Sequence, residues 1–384
     1  MDPVYLDYAA TAPVRPEVRA AMEPFADDVF GNPSSQHRWG RAASAALENA
    51  RAEAAEALGV RPSEICFVRG GTEADNIALC GACRALGADG SHPSLVVSAI
   101  EHHAVLHTAE RIAARGEAGL TLFDVTAEGD VDMDRIREGV SRGPALISCM
   151  WVNNETGIVL PIERMAELAE ETGAQLHSDA VQAVGKAPVR PTDLPGLDLL
   201  TVSGHKIQGP KGTGLLFVRR GTRVEPLLHG GGQERALRPG TEDVAGAVGL
   251  ATALRLAVEE QEREAVRLGE LRDRLEARVA HGIDGVMVVG RDARRAPHVS
   301  NLGFEGVNPA MLLINLDLDG VAASGASACQ SGSGKGSHVL EALYGDVDGR
   351  AHVRFSLGSG TDADQIDRAA AVTREVVSRL RAIS

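Results

Sequence analysis

At 384 residues the chain can bury a large core and has the length of two domains, while a formal net charge of −14 with no basic block excludes a groove for nucleic acid. Its five cysteines, odd in number and irregularly spaced, argue for free thiols in a reducing compartment and against a disulfide framework. The start, Met-Asp-Pro-Val-Tyr-Leu-Asp, lacks the basic end and apolar middle of a signal peptide, and no apolar run spans a bilayer, so the expected location is the cytoplasm, without membrane contact.

Val4 to Tyr8 reads as a short extended piece, followed by a helix near Pro16. Gly31-Asn32-Pro33-Ser34-Ser35-Gln36-His37 is a polar loop, and an alanine-rich stretch from Arg41 to Leu58 has helical spacing. Ile65 to Val68 is a buried strand. It turns through Arg69-Gly70-Gly71-Thr72-Glu73-Ala74-Asp75-Asn76 into a helix, whose exposed amides and positive end suit a phosphate. Glycine turns and threonine caps also occur for structural reasons, so this signal is weak alone. Cys80 and Cys83 form a CxxC inside that helix, with no second pair for zinc, and read as helix packing.

Strands follow at Leu95 to Ile100, Leu120 to Val125 and Ala145 to Val152, with helices near Met133 to Val140 and Ile162 to Thr172. The strand at Leu95 ends on Glu101-His102-His103. An imidazole there suits the face of a cofactor ring; two adjacent histidines leave the choice open, and His102 is taken as the candidate. Gln175 to Asp179 and Leu199 to Ser203 are apolar runs that stop on polar residues, like buried parallel strands handing their carboxyl ends to a ligand. Alternation of this kind specifies an α/β fold, a mainly parallel sheet with helices on both faces. Asn154, Asp179, Gln182 and Lys206 all fall at its carboxyl ends.

Asp179 and Lys206 carry the chemical argument. A buried lysine can form a Schiff base, and a nearby aspartate can keep a pyridine nitrogen protonated, the two groups that pyridoxal phosphate needs. A core ion pair would explain either residue alone. The flanking Ser203, His205 and Gly209-Pro210-Lys211-Gly212 favour the cofactor; Lys211, the rival lysine, belongs to an exposed turn.

Thr213 to Val218 is a further strand. His229-Gly230-Gly231-Gly232 resembles a lipase oxyanion segment, but no Gly-x-Ser-x-Gly elbow exists, and Gly332 to Ser337 lacks the ending of a phosphate-binding P-loop. One long amphipathic pattern from Val244 to Ala280 reads as a connecting helix to a smaller domain. Strands are expected at Gly285 to Val289, Val299 to Phe304 and Ala351 to Leu357, with helices near Pro309 to Leu316 and at the end. Arg354, between apolar neighbours, needs an anion: a substrate carboxylate or a structural acid. The Gly- and Ser-rich run from Ala322 to Gly336 predicts a mobile loop, because ordering costs roughly 1 to 2 kcal/mol per residue with little apolar area to offset it. Cys329 within it is a reachable nucleophile; Cys66, Cys80, Cys83 and Cys149 fall in strands and helices, where thiols are inert.

In order, these segments resemble the pyridoxal-phosphate-dependent cysteine desulfurases of the NifS/IscS type. The resemblance runs from Tyr5-Leu6-Asp7-Tyr8-Ala9-Ala10-Thr11 through Gly31 to Ser35, Thr72 to Asn76, Val152 to Glu155, Ser178 to Gln182, Ser203 to Lys206, Gly-Gly-Gly-x-Glu-Arg and Ala326-Ser327-Ala328-Cys329, ending at Val353 to Gly358. It implies the aspartate-aminotransferase fold: a large domain over residues 14–258 with a seven-stranded type of sheet, and a small α/β domain from residues 1–13 and 259–384 carrying the cysteine loop. It also implies a homodimer and conversion of L-cysteine to L-alanine, with sulfur held on Cys329 as a persulfide for an acceptor such as an iron-sulfur scaffold or thiolation carrier. Lys206 would carry the Schiff base, Asp179 the ring nitrogen, Gln182 the phenolic oxygen and His102 the ring face and proton transfer. Gly71, Thr72, Ser203 and His205, with Thr241 of the partner subunit, would hold phosphate; Asn154, Arg354 and Asn32 would meet substrate; no metal is expected. Trp151, where some relatives carry histidine, and Lys335 depart from the pattern. Selenocysteine lyase, another reaction on this fold and a non-catalytic sulfur relay are the alternatives.

Overall fold

The structure is a computed structural model that describes residues 3–325, 336–345 and 350–383. Seven strands form the main sheet, in the order Ile65–Val68, Gly214–Val218, Leu199–Ser203, Gln175–Asp179, Ala145–Ser148, Ser94–Ser98 and Gly119–Phe123. Gly214–Val218 alone is antiparallel to its neighbours; the rest of the ladder is parallel. Both faces are covered, which is why the strands read as continuous apolar runs. Along Ser94–Ser98 the side chains alternate: Val96 joins the apolar cluster on one face, and Leu95 and Val97 join the cluster on the other.

A four-stranded antiparallel sheet, ordered Ser324–Gly325, Arg350–Ser356, Val299–Glu305 and Val286–Val288, builds a separate core. Leu268, Leu271, Leu275 and Val279 of the helix Gln261–Gly282 pack there, as do Ile366 and Val376 of the helix Ala363–Arg381. Val4 and Leu6 from the start of the chain belong to the same cluster, and Val4–Tyr5 pairs in parallel with Val321–Ala322.

The expected single helix from Val244 to Ala280 is instead two, Val244–Glu259 and Gln261–Gly282, which meet at Glu260. The break has a physical reason. The first helix buries Leu250 and Leu254 in the main core, the second turns its apolar stripe to the other core, and no straight helix can face both. Glu260 at the junction is held by Arg15, 2.5 Å away.

Candidate active site

The parallel strands end on one side of the sheet, and a cavity of about 400 Å³ opens there. Asp179 is the last residue of its strand and lies opposite Thr201 of the next. That neighbouring strand stops at Ser203, and a single turn, Gly204–Lys206, carries the lysine back over the strand ends. The Lys206 ammonium donates to the carbonyl oxygens of Ala9 and Ala10 at 2.6 and 2.7 Å, so the N-terminal segment crosses the cavity and grips it. On the other side Gly70, at φ +139°, allows the tight turn from Ile65–Val68 into the helix Gly71–Leu86. Gly71 and Thr72 at the start of that helix line the cavity, and its first amides have no intrahelical acceptors.

Arg354 enters from the second sheet. It is 2 % exposed, and it donates to the main-chain oxygen of Asn154 at 3.0 Å and to Asp7 at 2.9 Å. Its Nε is buried with no hydrogen-bond partner among the described residues. Gln182 donates to the Ala9 oxygen at 2.9 Å, and its own oxygen lies 3.1 Å from His298 Nε2. His102 caps the helix His103–Ala114, its Nδ1 accepting from the Ala104 amide at 3.1 Å.

The electrostatics follow from burial. Asp179 is pushed up to about 6 by desolvation, against the opposing pull of the Val181 amide and the Lys206 charge. Asp75 lines the same cavity, held well above the carboxylate range by burial and by the Asp179 charge. Burial, then Lys206 and neighbouring histidines, bring His102 down to about 4, and burial with Lys206 and Lys211 brings His205 to about 4. Both rings are therefore neutral at physiological pH. Glu101 rises to about 8 through burial; its carboxyl accepts from Ser98 at 2.6 Å and from the Met150 amide at 2.5 Å.

Of the residues expected from sequence, the cavity brings together Gly71, Thr72, His102, Asn154, Asp179, Gln182, Ser203, His205, Lys206 and Arg354. Asn32 and Thr241 are exposed and do not line it. Cys329 lies outside the described residues, as does most of its loop. Cys83 is buried in the helix Gly71–Leu86, and burial pushes its thiol up to about 12. His103, the alternative to His102, also lines the cavity, and three further lining residues were not anticipated as such: Asp75, Glu155 and His338. His338 carries its Nε2 proton to the Glu101 main-chain oxygen at 3.0 Å. Lys186, also not anticipated, donates to the main-chain oxygen of Lys206 at 2.8 Å. Only Asp75 had a sequence signal, a charge just inside the phosphate-type turn.

An open, mostly parallel sheet with a lysine and a buried acid at its carboxyl ends, closed by an arginine from a second sheet, defines an α/β enzyme of aminotransferase architecture. The chain belongs to the family described as Aminotransferase class-V, which matches residues 4–369. It is 42% identical over 382 residues to the cysteine desulfurase IscS of Dictyoglomus turgidum, covering 99% of this chain and 96% of the relative. It is 41% identical over 394 residues to the cysteine desulfurase IscS of Methanosarcina thermophila, covering 99% and 93%. Among solved structures, a NifS-like protein superposes with a TM-score of 0.91 at 31% identity, covering 98% of this chain and 100% of that one. DndA from Streptomyces lividans does so at 0.75 and 35%, covering 92% and 99%.

The family depends on pyridoxal phosphate, and the residues present fit that group. A buried carboxylate raised to about 6 is an acid in need of a cation, which a protonated ring nitrogen supplies. A Cβ on Gly71 would stand 3.0 Å from Val181 and 3.6 Å from Ser203, so the bare glycine leaves room for a phosphate between helix start and strand end. Among the described residues no helix is long and apolar enough to cross a membrane.

Proposed function

We propose that the chain is a pyridoxal-phosphate-dependent cysteine desulfurase, converting L-cysteine to L-alanine and leaving sulfur on Cys329 as a persulfide for an acceptor protein. The observation that supports it most is the convergence on one cavity of Asp179 and Lys206, from the ends of two paired strands, with Arg354 from the second sheet. When bound, pyridoxal phosphate supplies an electron-withdrawing ring that loosens bonds at a substrate's α-carbon. Lys206 would hold it covalently and, displaced by substrate, move protons at that carbon. Asp179 would keep the ring nitrogen protonated through a charge-assisted bond worth about 1.5 to 3 kcal/mol. His102, neutral, would lie on the ring, with Gln182 near its phenolic oxygen. Gly71, Thr72, Ser203 and His205 would hold the phosphate, joined by Thr241 of the partner subunit in a homodimer.

Arg354 and Asn154 would orient cysteine, with Arg354 taking the carboxylate, while Asn32, exposed and away from the cavity, has no such role within one chain. The acceptor would be an iron-sulfur scaffold or a thiolation carrier in the cytoplasm. The two separate apolar cores support a large domain over residues 14–258, with the remaining chain as the small one.

The test is direct. With L-cysteine and a thiol reductant, the protein should release alanine and sulfide in equal amounts. Lys206→Ala should lose both the visible cofactor band and turnover, and Cys329→Ser should lose sulfide release. Undiminished sulfide from Cys329→Ser would remove that residue as sulfur acceptor, and no alanine from protein showing the band would end the desulfurase reading.

A further inference from the structure

Lys186 has no part in the roles above, yet its head group reaches the turn that carries Lys206. It donates to the main-chain oxygen of Lys206 at 2.8 Å and to that of Val184 at 3.4 Å. Among the described residues no carboxylate hydrogen-bonds to it. The acids nearest its pocket are committed elsewhere: Glu260 to Arg15 at 2.5 Å, and Glu264 to Arg267 at 2.7 Å. The other groups facing that pocket, Tyr8, Arg15 and His298, bring no negative charge at neutral pH. Glu260 and Glu264 line that pocket paired to arginines, so the direct partners of the Lys186 head group are carbonyl oxygens, and burial, with the charges of Lys206 and Arg15, brings Lys186 down to about 7. The titratable groups around Lys206 include Asp179, whose carboxylate favours the ammonium form, and His102, His205 and His298.

We propose that Lys186 is the positioning residue for Lys206: it fixes the turn that presents the amine and sets a second cation behind it, so that Lys206 meets a carbonyl carbon as a free amine. This rests on the reading of Lys206 as the cofactor-binding lysine. Lys186 and Lys206 line one pocket, where two ammonium groups oppose each other, and a neighbouring cation is a recognised way to keep a lysine unprotonated. The carbonyl bond adds geometry. By holding the Lys206 oxygen, Lys186 fixes the orientation from which that side chain crosses to Ala9 and Ala10.

The experiment uses full-length protein stripped of cofactor, pyridoxal phosphate as the aldehyde and cyanoborohydride to reduce the link. The amine lone pair attacks the carbonyl carbon, the oxygen leaves as water, and hydride from the borohydride fixes the bond. Labelling at Lys206 is read by peptide mass as a function of pH. In Lys186→Met the pH midpoint for labelling should move up by about one unit, so that labelling at pH 7 slows about tenfold. Lys186→Arg, a permanent cation, should keep the midpoint at or below that of the unaltered protein.

A purely structural role would slow labelling equally at every pH and leave the midpoint in place, which would overturn the inference, as would a midpoint raised equally by Arg. If Lys206 of the unaltered protein takes no label while other lysines do, the cofactor reading itself falls, and this inference with it.

Discussion

Glu101 has 0% exposure, and its second oxygen has no partner among the described residues, so burial favours the protonated, uncharged form. With the group raised from 4.5 to about 8, the folded protein binds a proton that the unfolded chain gives up. The stability this confers is complete below about pH 4.5 and is lost as pH rises through about 8. Its upper size is about 3 to 5 kcal/mol at 1.36 kcal/mol per unit. Glu101→Gln copies the protonated form, so urea denaturation from pH 5 to pH 9 should show a flatter stability profile in that variant, with the gain at the alkaline end. Parallel profiles for the two proteins would mean that Glu101 stays ionised. Because the Glu101 main-chain oxygen also holds His338, a profile that steepens in the variant would point to disturbance of the cavity wall.

At the scale of elements, Ile65–Val68 is an edge strand of the main sheet, and its outer groups need partners that no further strand provides. Side chains supply them. The Phe67 amide donates to Glu234 at 2.8 Å, and the Ile65 oxygen accepts from Arg51 at 3.0 Å and Arg235 at 2.8 Å. Glu234 meanwhile forms a two-point pair with Arg51 at 2.7 and 2.8 Å, with both side chains nearly closed to water. This grip sustains left-handed φ values at Glu234, Arg235 and Ala236, a conformation that costs a non-glycine residue about 1 to 2 kcal/mol each. Glu234→Ala should therefore cost about 3 to 5 kcal/mol in chemical denaturation, since it leaves a buried guanidinium and a strand amide without their acceptor. A loss below about 1 kcal/mol would mean that water replaces the carboxylate. The glycines at 230 to 232 stood out in the sequence as a cluster, but the partner of the segment after them on the edge strand did not. Helical period and strand composition are local, whereas pairing between residues 51 and 234 is set by how distant elements stack. For the same reason Asp179 and Lys206 stood out, each ending an apolar run, while Lys186 and His338 carry no local mark. The long pattern after Val244 hid its break because both halves keep helical spacing while changing the core they face.

At the scale of the whole molecule, the cavity lies where three parts of the chain meet: Asn154 beyond a strand of the main sheet, Arg354 on the second sheet and Asp7 on the N-terminal segment. Sequence left two uses for Arg354, a substrate carboxylate or an internal acid, and the structure places an internal acid against it. The two uses are compatible if Asp7 holds one edge of the guanidinium and cysteine competes for the rest, since a guanidinium has five donors and its Nε has no partner among the described residues. That competition has a sign. Arg354→Lys should raise the KM for cysteine about tenfold to a hundredfold, the worth of a charge-assisted bond at about 1.5 to 3 kcal/mol. Asp7→Asn, which weakens the internal rival and keeps its shape, should lower KM while costing some thermal stability. If the pair only joins the parts of the molecule, both variants should lose stability and neither should change KM ahead of kcat. Opposite movements of KM in the two variants, measured with folding confirmed by thermal melting, would show that Asp7 sets how much of Arg354 remains for the substrate.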